Sequence, residues 1–166
     1  MMTRLMGCRC GKSAIIEKLK TETYRWTPVR RIYKDKGKGK RRPLGLPSWS
    51  DKLLQEVIRM LLNAYFDVQF SENSHGFRPH KGCKTALEAI GCNESGGWVG
   101  TKWILEGDVS QCFESIDHQT LLDILSKSID DKRFLRLIEN YLKCGYLEDW
   151  TYHKTLSGCP QGGARP

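Results

Sequence analysis

The segment from Trp103 to His118, WILEGDVSQCFESIDH, constrains this chain more than any other. An apolar run, Trp103-Ile104-Leu105, delivers Glu106-Gly107-Asp108. A short apolar run bounded by turn residues reads as a buried strand, here over Lys102 to Val109. A carboxylate at a strand end, just after a glycine, can project into a cleft without crowding. Magnesium prefers such oxygen ligands, and a main-chain carbonyl at Val109 can add another. Taken alone, Gly-Asp-Val reads as an exposed strand-end acid. Its company changes the reading. Phe113 lies five residues beyond Asp108, and forty-five residues after Phe113 begins Gly158-Cys159-Pro160-Gln161-Gly162-Gly163.

The charge is as unevenly placed as the motifs. The 166-residue chain carries a formal net charge of +8. Nine Lys/Arg and one acid fall between Arg25 and Arg42, and the other 18 basic residues are balanced by 18 acids. The whole excess therefore sits in one stretch, which is suited to a polyanion. The bland reading is a solvated charged loop. No run approaches a membrane span, and the N-terminus has no basic-then-apolar signal pattern. The seven cysteines are odd in number and scattered, and the Cys8/Cys10 pair has no second pair at zinc spacing. Free thiols in a reducing cytosol are the expectation. A cytoplasmic location follows, with a bacterial or archaeal host assumed.

Along the chain, residues 1–11 read as irregular and 12–20 as a short helix. Val29 to Lys34 alternates as a strand does, Asp35 to Lys40 is a Gly/Lys hairpin tip, and Arg41 to Leu46 returns, ended by Pro47. Ser48 or Ser50 caps a helix to about Phe66, with an apolar stripe at Leu54, Ile58, Leu61, Leu62 and Tyr65. Ser74 to His80 is a loop, Cys83 to Ile90 a short helix, and Cys92 to Gly100 a linker. Asp117 starts a helix with Leu121, Leu122, Ile124 and Leu125 inward. Asp130 caps the next, with Phe134, Leu135, Leu137, Ile138, Tyr141 and Leu142 as its core face. Tyr146 to Leu156 alternates weakly, as a hairpin would. The class is α+β.

Tyr24 to Pro47 reads YRWTPVRRIYKDKGKGKRRPLGLP. With the Asp108/Phe113 block, Ser74-His75-Gly76-Phe77-Arg78-Pro79 and Pro160-Gln161-Gly162-Gly163, it resembles the reverse transcriptase/maturase encoded by group II introns. The resemblance covers roughly residues 14–163. It implies reverse-transcriptase fingers with an incomplete palm, within a right-hand polymerase. The divisions would be a weakly specified segment at 1–24, fingers at 25–101 and partial palm at 102–166.

By that resemblance Asp108, with the Val109 carbonyl, binds Mg2+ and serves catalysis. Phe113 lies beneath the incoming sugar and leaves no volume for a 2′-hydroxyl. Gln161 contacts the nucleotide, and Lys40 and Arg42 hold its triphosphate, arginine as a planar fork and lysine as a point charge. Arg30, Arg31, Lys34, Lys36, Lys38 and Arg41 suit an RNA backbone. Phe77 and Arg78 suit a base and a phosphate. Implied partners are intron or template RNA, a DNA primer and deoxynucleoside triphosphates, with no membrane and room for a homodimer.

The sequence departs from the family at His75, in place of the usual tyrosine, and at Lys34-Asp35-Lys36, where Ile-Pro-Lys is common. The family's aromatic-x-Asp-Asp hairpin is not among the 166 residues, and both ends read as cut or frameshifted. One carboxylate cannot organise two metal ions. The chain by itself is therefore expected not to polymerise. The alternatives are a non-catalytic RNA-binding maturase remnant that assists splicing, and a degraded product that neither folds cooperatively nor binds RNA.

Overall fold

The computed structural model describes residues 6–35, 37, 41–91 and 102–159. The chain divides into two compact units, one of Met1–Glu56 with Ser110–Pro166 and the other Val57–Val109.

The first unit is built on a four-stranded sheet in the order β2-β1-β3-β4. The strands are β1 (Val29–Asp35), β2 (Arg41–Leu46), β3 (Tyr146–Glu148) and β4 (Thr151–His153). β1 and β2 form the expected antiparallel hairpin, in register from Arg30 opposite Leu46 to Asp35 opposite Arg41. The expected second hairpin is β3 with β4. Its two-residue turn puts Asp149 and Trp150 at φ 46° and 63°. Positive φ at both central residues matches the right-handed twist of the strands, although neither residue is the usual glycine. The chain pattern did not disclose that β3 lies parallel to β1, Val29 beside Tyr146.

The described residues hold five helices: α1 (Met6–Lys20), α4 (His118–Ser126) and α5 (Lys132–Leu142) in the first unit, α3 (Cys83–Ala89) in the second, and α2 (Trp49–Phe66), which runs from the first into the second. α1 begins earlier than Lys12, within a stretch read as irregular. Asp117 caps α4, taking the Thr120 N–H at 2.8 Å. That bond and the Thr120 hydroxyl hold the Asp117 carboxyl below its usual range. α5 is capped by Asp131 and not Asp130. The Asp131 carboxylate accepts from Arg133 N at 2.8 Å and Phe134 N at 3.2 Å. Two adjacent aspartates offer the same chemistry, and only the backbone turn decides between them. Ile124, expected inward, is exposed.

Among the described residues, Tyr24, Trp26, Val29, Leu54, Ile138 and Leu142 form the buried apolar core of this unit. Trp26 packs against Tyr141 with the rings tilted by 52°, and its indole N–H donates to the Leu137 carbonyl at 3.0 Å. Beneath the aromatic cluster sits one buried acid, Asp51. It accepts from Tyr24 Oη at 2.7 Å, Ser48 Oγ at 2.7 Å and Thr27 N–H at 3.2 Å. Ser48 is thus the cap of α2, its hydroxyl also accepting the Asp51 N–H at 3.3 Å.

Several buried groups are held neutral. Desolvation raises Tyr24 and Tyr141 well above the usual phenol range, helped in both by the nearby Asp51. Burial, then the Asp51 charge, lifts Cys144 from 9.0 to about 11, and burial also raises Cys159. A group whose folded pKa is raised stabilises the fold below its unfolded pKa, and that contribution is lost as pH rises. Urea midpoints are therefore expected to be level to pH about 9 and to fall above it. A level profile from pH 7 to about 11 would contradict this burial.

In the second unit, helical residues 57–66 lead through a 3-10 turn at Asp67–Gln69 to a loop and α3. Of the apolar stripe on α2, Leu54 is buried, while Leu61 and Tyr65 are exposed. The expected buried strand at Lys102–Val109 is not a strand. The segment is irregular, and Leu105 is 99% exposed. A strand needs a partner for its N–H and C=O groups. None of the described strands pairs with this one.

Candidate nucleotide and nucleic-acid site

The sequence blocks around Phe113 and Gly158 lie side by side. Cys159 N–H donates to the Phe113 carbonyl at 2.7 Å, and Gly158 N–H to that of Ile116 at 2.7 Å. Buried His118 clamps the strap from below, its Nε2 lying 2.8 Å from the Gly158 carbonyl. A carbonyl only accepts, so Nε2 carries the hydrogen. Gly158 sits at φ +82°, and a Cβ there would stand 2.8 Å from the Glu114 carbonyl and 2.9 Å from that of Phe113. Only glycine allows so close an approach. Phe113 itself is 51% exposed. Gln161 follows Cys159 by two positions and lies outside the described residues, as do Lys36, Lys38 and Lys40.

A cleft of about 440 Å³ runs between the sheet and this strap, lined by Arg31, Pro43, Tyr146, Glu114, Lys154 and Gly158 among others. Arg31 is committed there. Its guanidinium lies 3.4 Å from the Tyr146 ring centre and 3.5 Å from Glu148. Tyr33 also bonds to Glu148. Arg41 stands opposite Asp35. Arg30, Lys34 and Arg42 are exposed and alternate onto the other face of the same sheet.

Asp108 and Val109 end the second unit, both exposed. Nothing lies within 4 Å of a Cβ built on Gly107, so crowding does not require glycine at that position. Among the described residues, no three His, Cys, Asp or Glu side chains group as a metal site. The donors there suit a hard cation in kind, and in number they do not make a site. In the same unit Arg78 is a keystone. Its guanidinium donates to Asp67 Oδ1 at 2.8 Å and to the carbonyls of Asp67 (2.9 Å), Ser71 (2.9 Å) and Ser74 (3.3 Å). The Asp67 carboxylate raises the Arg78 pKa further. The neighbouring Phe77 is 87% exposed at φ 59°.

The sequence reading missed the clamp by His118, which only the fold could reveal. It also missed the supporting role of Gly158. The signal was present there, a glycine just ahead of Cys-Pro-Gln-Gly.

Similarity to known proteins gives the family. Residues 32–165 match the family described as reverse transcriptase (RNA-dependent DNA polymerase), and the chain belongs to that family. The resemblance to group II intron proteins is borne out. The chain is 48% identical over 150 residues to the group II intron-encoded protein LtrA of Lactococcus lactis subsp. cremoris, covering 90% of this chain and 24% of that protein. It is 44% identical over 148 residues to an uncharacterized 91 kDa protein in the cob intron of Schizosaccharomyces pombe, covering 89% and 18%. It is 38% identical over 145 residues to the putative COX1/OXI3 intron 1 protein of Saccharomyces cerevisiae, covering 87% and 17%. The chain thus spans about a quarter or less of the length of these relatives. No helix among the described residues is long and apolar enough to cross a membrane.

Proposed function

We propose that this chain supplies the fingers (25–101) and the first part of the palm (102–166) of a right-hand, RNA-directed DNA polymerase of the group II intron kind. The docking of the Phe113 block onto the Gly158 strap carries the reading. It sets an exposed phenylalanine beside the backbone that continues into Pro160-Gln161. Phe113 excludes ribose, Gln161 holds the nucleotide, and Lys40 with Arg42 hold its triphosphate. Arg30, Lys34, Lys36, Lys38 and Arg41 meet RNA backbone. Arg31, tied to Tyr146, supports the hairpin from its other side. Arg78 shapes the loop that presents Phe77 for stacking on a base. Two magnesium ions, when bound, stabilise the attacking and leaving oxygens. Asp108 and the Val109 carbonyl are this segment's donors toward them.

The test is primer extension on an RNA template, with deoxynucleotides and magnesium, by the protein that carries this segment within a full-length polymerase. Asp108→Asn is expected to reduce extension to background. Phe113→Val is expected to relax discrimination against ribonucleotides by about a hundredfold. Full activity in Asp108→Asn would sink the assignment.

A second reading is an RNA-binding module that aids intron splicing without polymerising. The charge segregation on the sheet favours it, since that surface needs no metal. Salt-dependent RNA binding without extension by any form carrying the segment would select this reading.

A further inference from the structure

Phe113 stands on neither a helix nor a strand. It lies in a tight turn that begins at Gln111, at φ 52°. The Gln111 carbonyl takes the N–H groups of Glu114 at 2.9 Å and Ser115 at 3.0 Å. A turn closed on itself in this way still needs ties to the body of the protein. The strap supplies them. Its Cys159 N–H meets the Phe113 carbonyl and its Gly158 N–H meets that of Ile116. Ser157 Oγ reaches the Glu114 carbonyl at a longer 3.4 Å.

The bond from Cys159 to Phe113 has a particular construction. The Cys159 N–H and the Gly158 carbonyl belong to one planar trans peptide, so they point in opposite directions. His118 Nε2 holds the carbonyl end at 2.8 Å, and the N–H end meets Phe113 at 2.7 Å. An imidazole that fixes one end of the plane thereby aims the other. Hydrogen bonds in series also polarise one another. The imidazole has a firm base, because Asp117 caps α4 and makes His118 its first residue. His118 is 7% exposed, and with Asp51 it makes up the buried polar side chains among the described residues. Burial of an imidazole costs free energy unless it is hydrogen-bonded. What it adds here over an apolar side chain is the donor.

We infer that His118 is a positioning residue for sugar selection, fixing the Phe113 turn through the Gly158–Cys159 peptide. The role rests on the assignment of Phe113 proposed above and adds to it the group that keeps the ring in place. Selection by contact is sensitive to displacement, a shift of about 1 Å being enough to matter.

The test measures deoxynucleotide against ribonucleotide incorporation, as a ratio of kcat/KM values, in a full-length polymerase carrying this segment. His118→Leu keeps bulk and removes the donor, and is expected to lower the ratio about tenfold. His118→Gln brings an amide N–H to the reach of Nε2 and is expected to hold the ratio within about threefold of wild type. His118→Asn is shorter by one methylene and should behave as leucine does. It takes the place of His118→Leu if that protein does not fold. A loss of stability alone lowers the active fraction and leaves the ratio untouched, so the ratio separates positioning from folding. In a Phe113→Val background, His118→Leu is expected to change the ratio by less than about twofold, since both act through one ring. An unchanged ratio in His118→Leu, with Phe113→Val relaxed, would overturn the positioning role and leave the wider reading standing. Equal losses in the leucine and glutamine variants, or an effect that adds to Phe113→Val, would overturn it as well. Should Phe113→Val itself leave the ratio unchanged, the assignment of Phe113 falls and the role of His118 with it.

Discussion

Asp51→Ala is expected to cost about 3–4 kcal/mol of folding stability, a large part of the total for a domain of this size. Asp51 is 1% exposed and accepts from a phenol, a hydroxyl and a backbone N–H. Alanine removes the acceptor and leaves three donors in a space that water enters poorly. Buried donors left unpaired account for most of the effect, more than the lost bonds themselves. The loss reaches beyond α2. Tyr24 and Thr27 belong to the segment entering β1, so the sheet loses an anchor. Chemical denaturation of the two proteins checks the size. A change under about 1 kcal/mol would mean that the network adds little. Asp51→Asn separates charge from shape. It keeps a carbonyl acceptor, is expected to cost less, and should make the alkaline fall in stability smaller with its onset unchanged, because the Asp51 charge helps raise Tyr24, Tyr141 and Cys144 in the folded state.

Gly158→Val is expected to cost roughly 3 kcal/mol and to separate the two blocks of the proposed nucleotide site. Two effects combine. A side chain at φ +82° costs about 1–2 kcal/mol by itself. The Cβ also meets two backbone carbonyls closer than 3.0 Å, and backbone cannot swing aside as a side chain can. The strap must lift, and with it go the bonds to Phe113 and Ile116 and the His118 clamp. Nucleotide affinity should fall more than RNA affinity, since the basic hairpin is untouched. Equal losses in both would indicate general unfolding. Unchanged stability would show that the strap is free to move.

The hairpin, the helices and the loop at Ser74–His80 were legible because each announces itself within a few residues. β1 and β2 alternate and share a Gly/Lys tip. Asp117 and Ser48 are caps with the right chemistry at the right place. Lys102–Val109 misled because an apolar run records a tendency to pair, and pairing needs a second strand that local sequence cannot supply. Ile124 misled because helical spacing gives the stripe without its width. The site was legible as a set of blocks and not as a geometry. Strand alternation puts Arg30 and Arg31 on opposite faces, but nothing in the sequence says that Arg31's face is the one that carries Tyr146 and Glu148. Nor does it say that Arg78 spends its guanidinium on its own loop.

The parallel pairing of β1 with β3 has a consequence for how the chain acquires its form. Tyr33 and Glu148 touch across 115 positions, and Trp26 reaches Leu137 across 111. Contacts of such high order demand closure of a long loop before they return any stabilisation, which slows folding. The β1–β2 hairpin can close within microseconds of synthesis. Its inner edge then stays bare until residues 146–153 leave the ribosome. During that interval an unpaired strand edge is open to other chains. A nascent polypeptide of this design is therefore open to aggregation until the β3–β4 hairpin arrives, and a basic β1 is one defence against self-association.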